Sequence, residues 1–290
     1  MIIEAPQAPS PSPEPRAFGT LPAVLASGIN RKTLPPPLKW AGGKRWQVPH
    51  VEAIWRHYSE RRLVEPFCGG LAMALGLRAG RALLNDANPH LINFYRWIAG
   101  GLRPSIDMRN DEALFYQYRA RFNELVRSGR HEVREAAELF YYMNRTAYNG
   151  LCRFNSDGEF NTPFGQYKQI NYARSFTAYR DTFAAWEFTT GDFGNLRLEP
   201  DDFVYADPPY DVEFTSYSQG GFSWDDQVRA AESFATHPGP VVLVNQFTPR
   251  IGVLYQKLGY TVAELIAPRR ISCTGDRTPV KEIFATRNLR

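Results

Sequence analysis

Cysteine is scarce in this 290-residue chain, and Cys68, Cys152 and Cys273 stand far apart, with neither the close pairs that hold zinc nor the even set that frames a disulfide-rich secreted domain. The five histidines, His50, His57, His90, His131 and His237, form no ligand-spaced pair with them, so no metal site is expected. Long apolar runs are missing as well: no stretch approaches the roughly 18–20 residues that span a bilayer, and the opening residues lack a basic region followed by an apolar one. A cytoplasmic location is expected. A large charge of one sign is also absent, since 34 basic and 30 acidic residues leave a net +4, compatible with a polyanionic partner without demanding one. Apolar bulk is what the chain does have. At 43% hydrophobic and 14% aromatic it can bury the core of one large domain, or of a domain with an insert.

Residues 1–36, with "APQAPSPSPEPR" and "LPPPL", are too rich in proline and too polar to build a core and read as a disordered or polyproline-like leader. From Val48 the apolar residues Val51, Ile54, Trp55 and Tyr58 recur at helical spacing, then "RLVEPF" reads as a short buried strand, Gly69-Gly70 as a turn and "LAMALGLRAG" as a helix. "RALLND" is a second strand ending in Asp86, and Pro89 opens the helix "HLINFYRWIAGG". This strand–helix alternation predicts a parallel sheet of the Rossmann kind. Two helical stretches, "EALFYQYRARFNELVRSG" and "EVREAAELFYYMNRTA", and an aromatic, Asn- and Gly-rich segment then interrupt it. The pattern resumes with "WEFTTGDF", "DFVYADPP", a helix over 223–236, "PVVLVNQ", a helix near "RIGVLYQKLG", and the strands "YTVAELIA" and "EIFATRN". The predicted organisation is an α/β sheet domain over 37–99 and 173–290, carrying a helical insert over 100–172.

Open parallel sheets bind ligands beyond the carboxyl ends of their strands, and Gly69-Gly70, Asp86 and Asp207 fall at such ends. Glycines after one strand let a ligand approach the backbone, and an acid ending the next strand can accept hydrogen bonds from two ribose hydroxyls. The same acid could equally cap the following helix. "FCGGLA" lacks the G-x-G-x-x-G spacing of a pyrophosphate site, which favours a nucleoside cofactor without a phosphate bridge.

The stretch "DFVYADPPYD" at 202–211 puts an acid, two prolines and a tyrosine where a buried strand runs out. The exocyclic amine of adenine or cytosine is a poor nucleophile because its lone pair is delocalised into the ring. Methylating it calls for acceptors that take its hydrogens and draw it toward tetrahedral geometry. The Asp207 carboxylate and the Pro208 carbonyl are such acceptors, Pro209 stiffens the turn and donates nothing to a ladder, and Tyr210 offers a stacking face worth about 1–3 kcal/mol. An isolated Asp-Pro-Pro is by default a strand-ending turn. The position of this one at the mouth of the sheet favours the base clamp.

Read together, "KWAGGK" (39–44), "EPFCGG" (65–70), "NDAN" (85–88), "NRTAYNGLCRFNSDGEFNTPFGQYK" (144–168) and "YADPPY" (205–210) resemble the Dam family of DNA adenine methyltransferases, in the family's order and over nearly everything after the leader. The resemblance implies an α/β, Rossmann-like seven-stranded methyltransferase sheet with a helical DNA-recognition insert over 100–172 that includes a hairpin, S-adenosylmethionine as methyl donor, and double-stranded DNA bearing GATC as substrate. It implies catalytic roles for Asp207, Pro208, Pro209 and Tyr210. Trp40, Lys44, Phe67, Gly69, Asp86, Asp192 and Asp207 would hold the cofactor, with Asp86 on the ribose and Asp192 on the adenine. Lys39 and Arg153 would read guanines, Tyr148 and Asn149 would enter the base stack, and Leu151 and Pro163 would touch neighbouring bases. Arg145, Asn155, Tyr167, Lys168, Arg269, Arg270 and Arg277 would make phosphate or orienting contacts. Leu71 departs from the glycine or small residue common there, and a monomer is expected. The clamp chemistry alone also fits the cytosine amine or an adenine in another site, and a DNA-binding relative without turnover would keep the same scaffold.

Overall fold

The computed structural model describes residues 19–20, 34–211, 221–267 and 280–289. A two-residue strand β1 (Gly19–Thr20) is followed by helix α1 (Val48–Trp55), strand β2 (Leu63–Glu65), helix α2 (Ala72–Leu77), strand β3 (Ala82–Asp86) and helix α3 (Pro89–Ala99). Helices α4 (Glu112–Arg127) and α5 (Arg134–Thr146) come next, then α6 (Arg180–Phe183), β4 (Trp186–Thr190) and β5 (Phe203–Ala206). The chain finishes with α7 (Trp224–Ala235), β6 (Val241–Gln246), α8 (Pro249–Lys257), β7 (Thr261–Ala267) and β8 (Val280–Arg287). Local sequence sets several boundaries. Asn88 accepts from the amides of His90 and Leu91 ahead of Pro89, Asp111 caps α4, and Ser223 with Asp226 closes a reciprocal capping box on α7.

The sheet order is β1-β7-β8-β6-β5-β2-β3-β4. Seven of these strands form the expected sheet, and β1, from the leader, pairs in parallel with the edge strand β7. The pairing is parallel except at β8, which runs antiparallel to both β6 and β7, so the sheet is mixed rather than wholly parallel. Strand β8 is the next described element after β7 and lies beside it between β7 and β6, the antiparallel neighbour relation of consecutive strands. Strand β2 has β3 on one side and β5 on the other, so the chain winds outward from β2 in one direction and from β5 in the other. The crevice at their carboxyl ends is the binding position of an open α/β sheet.

Alternate residues of the inner strands feed two cores. Leu63, Leu84, Phe203 and Tyr205 pack on one face, and Val64, Leu83, Val204 and Ala206 on the other, the period-two consequence of an extended backbone. The insert has no separate core. Helix α5 is buried along almost its whole length between α3 and α4, with Tyr141 stacked on Phe94 at 5.3 Å and Tyr142 edge-on to Tyr118 at 4.9 Å. Among the described residues no helix is long and apolar enough to cross a membrane.

Candidate active site

Strand β5 is buried throughout and is fixed at its entry by Asp202, whose two oxygens receive Arg62 Nε at 2.9 Å and Nη2 at 2.7 Å. At its exit, Asp207 Oδ2 lies 3.0 Å from Lys44 Nζ, while Oδ1 is buried without a hydrogen-bond partner among the described residues. Lys44 Nζ also donates to the Gly42 carbonyl at 2.9 Å and sits 4.6 Å from the centroid of the Tyr210 ring. The turn is supported from beneath. Gln227 Nε2 donates to the Pro209 carbonyl at 2.7 Å, Asn245 Nδ2 donates to Gln227 Oε1 at 2.9 Å, and Arg250 holds the next acid, Asp211.

Three carboxyl groups of this region, Asp207, Glu65 and Glu282, are shifted by burial. Burial pushes Asp207 above the ordinary carboxylate range, against the pull of Lys44. Burial likewise raises Glu65 to about 8, and its Oε1 is unpartnered. Glu282 is raised for the same reason; it accepts from Gln47 Nε2 at 2.6 Å, and Gln47 Oε1 in turn accepts from the Tyr205 hydroxyl at 2.8 Å. Buried carboxyls held above their ordinary range take the charged form most readily when a donor or cation comes beside them.

The loop after β2 is built for close approach. Gly69 has φ +43°, and a Cβ there would meet Trp40 Nε1 at 2.9 Å, so only glycine fits beneath the indole. Its amide donates to Asp86 Oδ2 at 3.0 Å, its carbonyl accepts from the Tyr95 hydroxyl at 2.6 Å, and Asp86 Oδ1 accepts from the Asn88 amide at 2.9 Å. The cap of α3 is therefore Asn88, and Asp86 orders the loop that leads into it. Burial raises the Asp86 carboxyl, and the two amides oppose the shift. Asn85 ties three strand ends together, donating to the carbonyls of Pro66 at 3.0 Å and Gly191 at 2.9 Å and accepting from Thr189 at 3.0 Å. At the departure noted in the sequence, Leu71 adopts the left-handed conformation at φ 61° with its side chain wholly buried; burial of the isobutyl group offsets the strain that glycine would avoid.

Trp40, Lys44, Phe67, Gly69, Asp86, Asp192 and Asp207 all line one cavity of about 680 Å³, within the usual size of a cofactor site. Its far end is aromatic, with Phe67 ring centroids 5.2 Å from Phe193 and 5.5 Å from Phe222. Asp192 stands there already paired to Arg229, whose Nη1 and Nη2 reach its two oxygens at 2.6 Å and 2.8 Å. Glu65, Asn85, Tyr95 and Arg229 escaped the sequence reading: Asn85, Tyr95 and Arg229 act through partners distant in the chain, and Glu65 reads as an ordinary strand residue until its burial is seen.

The segment expected to meet DNA is a short hairpin. Phe154 and Phe160 pair across it, and Ala147 pairs with Phe164. Asn155 makes the turn, its Oδ1 accepting from the amides of Asp157 at 3.1 Å and Glu159 at 2.8 Å. Tyr148 is 52% exposed next to the left-handed, exposed Asn149, and its amide donates to the carbonyl of the exposed Pro163 at 2.9 Å. Leu151 is half-buried, whereas the side chains of Arg153 and Lys168 are exposed. Lys39 is joined to the segment through Asn144, which accepts from its amide at 3.0 Å and donates to its carbonyl at 2.7 Å, and its ammonium lies 4.2 Å from the Tyr167 ring centroid. Arg145 donates to the Pro37 carbonyl and packs over Tyr141, an internal brace rather than an outward arm. Arg269, Arg270 and Arg277 lie outside the described residues.

With this geometry in place, comparison with known proteins is direct. Residues 40–270 match the model of the D12 class N6 adenine-specific DNA methyltransferases. The chain is 36% identical over 270 residues to the DNA adenine methylase of Vibrio cholerae serotype O1, covering 86% of this chain and 94% of that protein. It is 34% identical over 273 residues to the Retron Ec67 DNA adenine methylase of Escherichia coli, covering 87% and 91%. It is also 34% identical over 257 residues to the DNA N-6-adenine-methyltransferase of Escherichia phage P1, covering 82% of this chain and 33% of that longer protein. The chain belongs to the D12 class of N6 adenine-specific DNA methyltransferases.

Proposed function

We propose that this protein transfers a methyl group from S-adenosylmethionine to the exocyclic amine of an adenine swung out of duplex DNA, at GATC, inside the cell in the cytoplasm. The observation that carries the reading is Asp207: a carboxylate at the carboxyl end of β5, one oxygen held by Lys44 and the other buried and unpartnered, opening on a cavity of cofactor size. The donor suits that cavity. Its aromatic end takes a purine, Asp86 takes ribose hydroxyls, the buried Glu65 carboxylate suits the methionine ammonium, and the tight glycine loop under Trp40 admits the chain between them. Bound there, S-adenosylmethionine supplies an electrophilic methyl on a sulfonium.

The remaining chemistry belongs to the protein. Asp207 Oδ1 and the Pro208 carbonyl accept the two amine hydrogens and localise the nitrogen lone pair for in-line attack. Lys44 favours the ionised form of Asp207, and Tyr210 presents its ring to the base. Acceleration then comes from orientation and from dipoles fixed before the reaction begins. Extruding the adenine costs a few kcal/mol, roughly, which stacking of about 1–3 kcal/mol and contacts from the hairpin offset. Lys39 and Arg153 suit the guanine acceptors, Leu151 and Pro163 suit the thymine methyl, and exposed Tyr148 and Asn149 suit the gap left in the stack. Lys168 and Tyr167 suit the phosphates.

The test is transfer of tritiated methyl from S-adenosylmethionine to short duplexes. Labelled N6-methyladenine is expected with GATC and not with a scrambled site. Asp207→Ala should abolish transfer while retaining duplex binding; a fully active variant, or label on cytosine, would overturn the reading.

A further inference from the structure

Asp192 ends the loop after β4 and lines the aromatic end of the cavity, yet it is not a free carboxylate. Oδ1 accepts twice, from Arg229 Nη1 at 2.6 Å and from the Gly194 amide at 2.7 Å, and Oδ2 accepts Arg229 Nη2 at 2.8 Å. An ionised carboxylate offers about four lone-pair sites, so three are filled and one, on Oδ2, remains. Arg229 is itself immobilised: its guanidinium carbon lies 4.2 Å from the Phe193 ring centroid, and Nη2 also donates to Asp226 Oδ1 at 2.9 Å. The other oxygen of Asp226 belongs to the capping box of α7, accepting from the Ser223 amide at 2.9 Å and hydroxyl at 2.8 Å. Gly194 cannot be enlarged without collision, since a Cβ would meet Asp192 Oδ1 at 2.9 Å and Arg229 Nη1 at 3.0 Å.

We infer that Arg229 is a specificity-determining residue of the donor site: it clamps Asp192 so that a single acceptor remains, which selects a purine carrying an exocyclic amine and rejects one carrying a ring carbonyl. The inference rests on the reading of this cavity as the S-adenosylmethionine site and adds a residue and a selectivity to it. A purine amine can donate one hydrogen to the remaining lone pair. A 6-oxo purine would set its carbonyl oxygen against a carboxylate that cannot rotate away, because the planar fork of arginine holds both oxygens. Lysine, a single point donor, would leave the carboxylate free to turn.

The test is calorimetric binding of S-adenosylhomocysteine and of its 6-oxo counterpart, S-inosylhomocysteine, to the full chain and to Arg229→Gln and Arg229→Lys. The unaltered protein should prefer the adenosyl compound by about tenfold or more, the size of one charge-assisted hydrogen bond. Both variants should bind the adenosyl compound about 5–20-fold more weakly and lose most of the preference. Arg229 is half-exposed, so both should fold, as their melting curves will report, and either one folded decides the matter. An unchanged ratio in a folded variant overturns the inference while leaving the donor site standing. Failure of the unaltered protein to bind S-adenosylhomocysteine instead removes the donor site, and the inference with it.

Discussion

Glu65 departs far from the ordinary behaviour of a carboxylic acid. Burial moves its carboxyl from the usual 4.5 to about 8. Between those values the folded protein holds a proton that the unfolded chain releases. Stability from this group is therefore full below about 4.5, declines as pH rises, and is gone above about 8. Glu65→Gln, neutral at every pH, should flatten the melting temperature across that window and raise it at the alkaline end; an identical pH slope in both proteins would contradict the assignment. Gly69 makes a second test at this scale. Gly69→Ala places a methyl 2.9 Å from Trp40 Nε1 at φ +43°, and should cost about 1–3 kcal/mol of donor affinity or stability, read by calorimetry and melting. Asp207 and Gly69 are legible in the sequence because they fall where strands run out, the ligand-binding edge of an open α/β sheet. Glu65 is not, since "VEPF" reads simply as a buried strand end, and its raised carboxyl depends on burial and on Asp207, which is distant in the chain. Arg229 was invisible for a similar reason: it is one charge on an amphipathic helix until the loop after β4 brings Asp192 to it.

Helices and strands were largely readable from periodicity. "RALLND" became β3, and the helix expected over 223–236 runs from Trp224 to Ala235 with Ser223 and Thr236 as its caps. The direction of β8 was not readable, because an alternating apolar pattern is the same in either orientation. A hairpin within the insert is expected from the resemblance, with Asn155 as a phosphate or orienting contact. Its carbonyl oxygen holds the turn, the ordinary use of asparagine where backbone amides need a local acceptor. Asn155→Ala should loosen the hairpin by about 1–2 kcal/mol and weaken GATC binding without changing affinity for S-adenosylhomocysteine. Arg153→Ala should relax discrimination at one guanine by about 1–3 kcal/mol more than it weakens nonspecific binding. Equal loss on all sequences in a binding titration would reject that role for Arg153.

On the scale of the whole molecule, the segment from Pro35 to Gln47 joins the two halves of the site. Pro35 and Pro37 accept from Tyr179 and Arg145, Lys39 is stapled to Asn144, and Lys44 and Gln47 reach Asp207 and Glu282. One strip of chain thus links the hairpin to the tip of β5, and under the proposed function it would set DNA readout next to where the methyl group is delivered. The insert shares the core of the sheet, which fixes that spacing rigidly. The most direct measurement is modified-base sequencing of DNA from a host without its own adenine methylation, expressing either the unaltered chain or Asp207→Ala. N6-methyladenine at GATC throughout the genome is expected with the first and none with the second. Methylation confined to other sites or to cytosine, or equal methylation by the variant, would contradict it.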